Sequence, residues 1–452
     1  MSDLLTIVLA AGKGTRMKSD KNKVLHKIAG KEMVNHVMDT AAQISSSVVC
    51  IVGHQAEDVK KAVKADNVEF KLQAEQLGTG HAVMQATENI KKHQGHVLIL
   101  YADIPLIKKS TINNMIDFHD SNSADLTIMT TLLKNPTGYG RIIKNEASEI
   151  IKIVEEDDAT AKEKMINEIN SGIMCIDSQS LDNALASLDN DNAQNEYYLT
   201  DIVDYLKDQQ GKILPFQIED TEEITGVNDR INLSKAEHIL RERINNKHMS
   251  NGVTIIDPTT TYIDENVEIG SDTTIYPFTY IEGNTKIGRH NTIKPHNHII
   301  DCTIGDNNQI KNSNVLKSSE IKNDCQIGPF AHIRPGCIIA DGVKVGDYVE
   351  LKKAQIGKET KVPHLAYVGN AEIGTGTNVG AGTIFANYDG ENKHKTIVGN
   401  SVFIGSNSTL VAPLKIMDRG KTGAGAVVTK DVMEDTTVIG VPAREYMKNK
   451  ED

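Results

Sequence analysis

The chain has 452 residues, 39% of them hydrophobic and 24% charged, which leaves room for two to four domains and a sizeable core. Its formal net charge of −12 opposes a polyphosphate backbone as the main partner, so no nucleic acid is expected, whereas small anionic substrates held by a few placed cations fit. The opening apolar run Leu4–Ala11 is short and lacks a basic leader, and no stretch reaches membrane-spanning length, so the sequence predicts a cytoplasmic chain without a membrane partner.

Over residues 1–228, strand-like and helix-like segments alternate. Leu4–Leu9, Val48–Val52, Val97–Tyr101 and Leu126–Thr131 are apolar runs of strand length, with amphipathic stretches such as Met33–Ile44, His81–Ile90 and Ile112–His119 between them. This predicts a Rossmann-like α/β domain with a mostly parallel sheet, whose ligands collect beyond the carboxyl ends of the strands. The first strand runs into Leu9-Ala10-Ala11-Gly12-Lys13-Gly14-Thr15-Arg16-Met17. Its two glycines let backbone approach an anion, and Lys13, Arg16 and Lys23 bring positive charge beside it. The G-K-[ST] ending of a Walker A loop is missing, and Met17 stands where a dinucleotide fingerprint has its third glycine. Asp103 follows the run Val97–Tyr101, at a strand's carboxyl end where a magnesium ligand is well placed.

Residues 229–250 read as a linker helix, with Leu233, Ala236, Leu240 and Ile244 spaced for one face and Ile239 beside them. From there to residue 452 a different period rules. Isoleucine recurs every sixth residue from Ile263 to Ile299, a spacing that neither a helix nor a two-residue strand alternation produces. After five-residue steps the comb resumes at Ile304, Ile321, Ile356 and Ile373, and it runs to Phe385 before a break, after which Val398, Ile404, Leu410 and Ile416 continue it. Four residues past many teeth stands something small, such as Thr273, Thr279, Thr285, Ala331, Cys337, Thr377, Thr383 or Ser408. This is the pattern of a parallel β-helix of hexapeptide repeats, in which stacked coils bury a column that no single coil could bury. Cys325 and Cys337 fall in the small inward slot; with Cys50, Cys175 and Cys302 they form no C-x-x-C pair and are odd in number, which argues against zinc and against a disulfide framework.

The comb breaks once, by thirteen residues, between Phe385 and Val398. There the chain carries Asn387-Tyr388-Asp389-Gly390-Glu391-Asn392-Lys393, an extruded loop rich in polar groups, after Asn378-Val379-Gly380-Ala381-Gly382-Thr383. Upstream lie Ile333-Arg334-Pro335-Gly336, Val349-Glu350-Leu351-Lys352-Lys353-Ala354 and His364-Leu365-Ala366-Tyr367. His364 is two residues past the inward Val362, so the register leaves it outside the prism.

Leu9 to Met17 followed by Lys23-Val24-Leu25 resembles the signature of nucleotidyltransferases that join a sugar 1-phosphate to a nucleoside triphosphate. Leu72-Gln73-Ala74-Glu75-Gln76-Leu77-Gly78-Thr79-Gly80-His81-Ala82 resembles the base-binding segment of their uridylyltransferase branch. Tyr139-Gly140-Arg141, Ile153-Val154-Glu155, Asn170-Ser171-Gly172, Glu196-Tyr197-Tyr198-Leu199-Thr200-Asp201 and Gly226-Val227-Asn228 follow in order. Over nearly the whole chain this succession resembles the bacterial GlmU family, bifunctional N-acetylglucosamine-1-phosphate uridylyltransferases and glucosamine-1-phosphate acetyltransferases. The chain departs from that family's pattern at Ala102, usually Gly, at Asn22, often Pro, and in a tail reading Val438-Ile439-Gly440-Val441-Pro442-Ala443-Arg444, closer to the general ending of hexapeptide acetyltransferases.

The resemblance implies a left-handed β-helix, a homotrimer, and two sites. In the first, Arg16 and Lys23 contact the triphosphate as catalytic groups, and Asp103 and Asn228 hold Mg²⁺. Leu9, Ala10, Ala11 and Gly12 line the nucleotide's place, Gln73 with Gly78 and Thr79 reads uracil, and Gly140, Glu155, Asn170 and Asn228 belong to the substrate-binding set. In the second, Arg334, Lys352, Tyr367, Asn378 and Lys393 bind the sugar phosphate, Asn387 and Tyr388 position the amino sugar, and Ser406, Ala424 and Arg444 face acetyl-CoA. An amine must lose a proton before it attacks a thioester, and His364 is the base the resemblance implies, with Glu350, fourteen residues earlier, expected to orient it. The implied small-molecule partners are glucosamine 1-phosphate, N-acetylglucosamine 1-phosphate, UTP and acetyl-CoA. Two other readings stay open on residues alone: a single-activity pyrophosphorylase whose β-helix is structural, and a non-catalytic regulatory relative.

Overall fold

The computed structural model describes residues 3–446, so residues 447–452 of the expected second domain lie outside the described part; the chain divides after Leu240 into two units. The sheet of the first runs Ile213–Gln217, Leu126–Leu132, Glu168–Asp177, His96–Tyr101, Leu4–Ala10, Ser47–Val52, Val68–Leu72. All neighbours on this path are parallel except Glu168–Asp177, which is antiparallel to both of its own. Alternate residues of each strand feed opposite faces: Val8, Cys50 and Leu100 join one core with Val34, Val37 and Met115, while Ile7, Ile51 and Ile99 join another with Val83, Leu181 and Val203. The sheet is therefore covered on both sides, which is why its strands read as continuous apolar runs.

The expected helices form over Met33–Ile44 and Lys109–Asn122. The stretch His81–Ile90 is split into Thr79–Met84 and Thr87–Lys92, and the Thr87 hydroxyl donates to the Met84 carbonyl at 2.6 Å at the join. The linker reading corresponds to a helix over Arg230–Ser250. Within the first unit its Leu233, Ala236, Ile239 and Leu240 pack with Ile28, Met33, Leu106 and Val227. Within the second, Asn245 donates to the carbonyls of Pro258 and Thr261 at 2.9 and 3.2 Å.

The second unit is the left-handed parallel β-helix. Its short strands form three sheets, parallel but for the terminal strand Arg444–Glu445, and equivalent teeth stack directly: Ile263, Ile281, Ile299, Leu316, Ile333, Leu351 and Val368 lie in register on one face. Every tooth from Ile275 to Ile416 is buried, Phe385 included; Ile269 is half-buried because it sits in the first strand of its sheet, with a coil on one side only. The small residues are buried with them, and Thr279, Thr383 and Ser408 turn their hydroxyls to carbonyls three residues earlier at 2.7–2.9 Å, so these donors stay satisfied in the dry core. Coil follows coil closely enough that a Cβ on Gly346 would lie 1.7 Å from the Pro363 carbonyl oxygen; only glycine fits there.

Candidate active sites

The first cleft, about 460 Å³, opens at the carboxyl ends of the central strands. Leu9, Ala10, Ala11, Gly12, Lys13 and Thr15 line it from the first strand and its turn, Gln73, Gly78 and Thr79 from beyond Val68–Leu72, and Tyr101 and Asp103 from His96–Tyr101. The turn is possible because Gly14 has φ 62°, and a Cβ there would fall 2.5 Å from Lys23 Cβ. Lys23 begins a short 3-10 turn that Asn22 caps: Asn22 Oδ1 accepts from Val24 N at 3.1 Å and its Nδ2 donates to the His54 carbonyl at 2.7 Å. That turn sends the Lys23 ammonium 2.5 Å from Asp103 Oδ2 and 3.1 Å from Asn228 Oδ1, with both charged side chains mostly covered.

Gln73 is buried, and its Nε2 donates to the Gly78 carbonyl at 3.0 Å and meets His81 Nδ1 at 3.2 Å, which fixes the side-chain amide at the cleft wall. The trio Gly140, Glu155 and Asn170 is brought together: Asn170 N donates to the Gly140 carbonyl at 2.9 Å, and a Cβ on Gly140 would lie 3.3 Å from the Glu155 carboxylate. Glu155 also accepts from the Thr200 hydroxyl at 3.2 Å, and burial pushes its carboxyl up. It borders a neighbouring acidic hollow of about 610 Å³, where burial and then Asp204 and Asp189 push Asp201 up to about 6. Arg16 is exposed and is not among the residues lining the first cleft. Tyr101, whose ring lies 2.7 Å from where a Gly172 Cβ would be, lines the cleft and was missed by motif reading.

On the β-helix, Arg334, Glu350, Lys352, Tyr367 and Asn387 gather along the sheet that contains Glu350–Lys352 and Tyr367–Gly369. Arg334 Nη1 donates to Glu350 Oε1 at 2.8 Å. Contact with Lys393, and then the Arg334 charge, holds the Lys352 ammonium below the usual lysine range. A Cβ on Gly369 would meet both the Tyr367 hydroxyl at 2.5 Å and Asn387 Nδ2 at 2.8 Å, so these two groups converge there. In the loop, Tyr388 is exposed and pairs with Lys393 in an antiparallel bridge, and the Tyr388 hydroxyl donates to the Gly390 carbonyl.

His364 lies on a different sheet. It ends the strand Lys361–His364, and Asn378 pairs with Lys361 one coil further on. His364 is one member of a column along one edge of the prism: Asp347, His364, Ala381, Ser406 and Ala424 each stand two residues past an inward tooth. The amide following each of the last four bonds the carbonyl of the member one coil before: Leu365 N to Asp347, Gly382 N to His364, Asn407 N to Ala381 and Gly425 N to Ser406, at 2.7–3.2 Å. Ser406 and Ala424 are thereby aligned with His364, whereas Arg444 lies apart in a terminal strand, Arg444–Glu445, paired with Ile439. The expected orienting partner is corrected. His364 Nδ1 meets Asp347 Oδ1 at 2.5 Å, and Glu350 is engaged with Arg334 instead. A coil here spans seventeen residues, so the residue beneath His364 is Asp347, not the residue fourteen earlier.

Comparison with known proteins agrees with both halves. The model of the MobA-like NTP transferase domain matches residues 6–163, and that of the GMPPB C-terminal domain matches residues 258–356. The bifunctional protein GlmU of Acetivibrio thermocellus is 47% identical over 453 residues, covering 100% of this chain and 97% of that protein. That of Brevibacillus brevis is 46% identical over 463 residues, with 100% and 97% covered, and that of Listeria monocytogenes serotype 4b is 47% identical over 451, with 100% and 98% covered. Among solved structures, a putative glucose-1-phosphate thymidylyltransferase from Bacillus anthracis aligns with a TM-score of 0.44 at 17% identity, over 53% of this chain and 96% of that one. With end-to-end identity near one half, with a nucleotidyltransferase unit in front and a hexapeptide β-helix behind, the chain belongs to the GlmU family of bifunctional transferases, enzymes of UDP-N-acetylglucosamine synthesis.

Proposed function

We propose that the second unit moves acetyl from acetyl-CoA to glucosamine 1-phosphate, and that the first moves UMP from UTP to the N-acetylated product, in a cytoplasmic homotrimer. The observation that carries this is the convergence of Lys23, Asp103 and Asn228 at the cleft edge, in a chain that also bears the separate cation cluster of Arg334, Lys352 and Lys393. A carboxylate and an amide oxygen already close on one cation, the Lys23 ammonium, and hard oxygen donors of this kind suit Mg²⁺. Asp103 and Asn228 would hold that ion, which when bound offsets charge on the phosphates. Lys23, Lys13 and the backbone of Gly12–Gly14 take up further negative charge, and Gln73 with Gly78 and Thr79 fixes the uracil. A phosphate oxygen of the sugar then bonds the α-phosphorus as the bond to the departing pyrophosphate breaks. Arg16, exposed in the free enzyme, contributes only once the triphosphate reaches it.

In the second site Arg334, Lys352 and Lys393 hold the phosphate of the sugar, with Tyr367, Asn387 and Tyr388 around the amine. His364 accepts the amine proton through Nε2. The nitrogen lone pair bonds the thioester carbonyl carbon, the carbon–sulfur bond breaks, and the proton passes to the departing thiolate, giving an amide and free CoA thiol. The alignment of Ser406 and Ala424 with His364 on the edge column supports their lining the coenzyme's path.

One coupled assay tests the reading. With glucosamine 1-phosphate, acetyl-CoA, UTP and Mg²⁺, both free thiol and pyrophosphate are expected. Pyrophosphate only from supplied N-acetylglucosamine 1-phosphate would reduce the chain to a pyrophosphorylase with a structural β-helix, and neither product in either mixture would make it a non-catalytic relative.

A further inference from the structure

We infer that Asp347 is the positioning residue of acetyl transfer, fixing the imidazole of His364, while Glu350 serves the sugar-phosphate side by holding Arg334; this rests on the reading of His364 as the base. The strands Lys344–Asp347 and Lys361–His364 pair out to their last residues, so Asp347 and His364 are direct register partners on adjacent coils. Each is followed by a residue in the left-handed conformation, Tyr348 at φ 54° and Leu365 at φ 50°, so the two corners turn alike and keep both side chains leaving at equivalent places. The glycine between tooth and aspartate lets the coils close: any larger residue at Gly346 would strike the Pro363 carbonyl. The Leu365 amide donates to the Asp347 carbonyl at 2.9 Å and locks the pair from the backbone side.

The side chains then meet at 2.5 Å, Nδ1 to Oδ1. A carboxylate acceptor keeps the ring hydrogen on Nδ1, so Nε2 is left as the proton acceptor. Contact with His364 also holds the Asp347 carboxyl below the usual carboxylate range, so it stays an acceptor through neutral pH. Glu350 is a register partner of Tyr367 and lies one coil beyond His332, and its oxygen is taken by Arg334 at 2.8 Å. The two carboxylates thus sit on different sheets, each with its own cation-forming partner.

The test is steady-state acetyl transfer by full-length variants, with the circular dichroism spectrum and the denaturant midpoint of the β-helix unit, compared with the parent, as the check that each chain is folded. Asp347→Ala is expected to lower kcat about 10- to 100-fold, part of what a positioned base supplies, with both KM values within about twofold. Asp347→Asn, which keeps an oxygen acceptor, is expected to restore kcat to within about fivefold of the parent. Glu350→Gln is expected to raise KM for glucosamine 1-phosphate about tenfold with kcat nearly unchanged. An Asp347→Ala enzyme with unchanged kcat, an Asp347→Asn enzyme no better than it, or a Glu350→Gln enzyme whose loss is all in kcat would overturn the inference. His364→Ala separates the two levels: if it still transfers acetyl, the base itself is wrongly assigned.

Discussion

Ala102 puts one methyl group at the position before Asp103. The residue is fully buried in the core below the cleft, its amide donating to the Leu9 carbonyl at 3.0 Å, and it lies one position before Asp103. Ala102→Gly is therefore expected to change uridylyl transfer by less than about tenfold, 1.4 kcal/mol of barrier, in steady-state rates of pyrophosphate release. A gain of about a hundredfold would mean that the methyl group already displaces Asp103. Asn22 is the other departure, and its side chain does locally what a fixed ring would do, capping the turn that aims Lys23. The assignment of Lys23 and Asp103 to one cluster was legible from motif order, because Asp103 follows a strand's carboxyl end and Lys23 follows the glycine turn beyond the first strand. The Asp347 contact was legible too, by counting one coil of seventeen back from His364, but the count has to start from the teeth Val345 and Val362 rather than from the nearest glutamate. Tyr101 left no signal beyond being the last residue of an apolar run, since its place against Gly172 depends on an antiparallel strand seventy residues away in sequence.

At the scale of elements, the comb fixed the β-helix because burial follows spacing with almost no tertiary override. Phe385 is its one aromatic tooth, fully buried just before the extruded loop. Phe385→Ala is expected to cost about 3–5 kcal/mol and to lower the denaturant midpoint of acetyl transfer, while uridylyl transfer keeps its own midpoint. The α/β unit was less legible: strands Val68–Leu72, Glu168–Asp177 and Ile213–Gln217 carry mixed residues or lie at an edge, and pattern alone passes over them. Helix Lys109–Asn122 adds a pH dependence. It buries His119, which bonds the Thr127 hydroxyl at 2.8 Å, and burial, then His96, lowers its pKa from 6.5 to about 4. Between those values the unfolded chain takes up a proton that the folded chain refuses, so stability is full above pH 6.5 and falls as pH drops toward 4. The loss reaches about 3 kcal/mol over that window. His119→Gln is expected to flatten the slope of the urea midpoint for uridylyl transfer between pH 7 and 5; an unchanged slope would assign the acid sensitivity elsewhere.

At the scale of the molecule, the second site poses a question of completeness. His364 and its edge column follow one sheet, and the cation cluster of Arg334, Lys352 and Lys393 is built from another sheet and the extruded loop. If trimerisation joins one chain's histidine to a neighbour's cations, chains carrying His364→Ala and chains carrying Lys352→Ala are each inactive alone but regain thiol release when co-expressed. Failure of the mixed preparation to exceed its parents would mean that each chain builds its own site.

All five thiols are buried. Burial pushes Cys50 and Cys175 up to about 12 and Cys302 and Cys325 up to about 11, and raises Cys337 as well. Thiolate, the reactive form, is therefore scarce and shielded at every native position. The chain comes with a chemically silent background: a cysteine introduced at exposed Ser406 or Tyr388 would be the one group that takes a maleimide, a spin label or a crosslinker. The inward slots that fill the prism with small residues thus also make the folded enzyme ready for distance measurements without removing a single native cysteine.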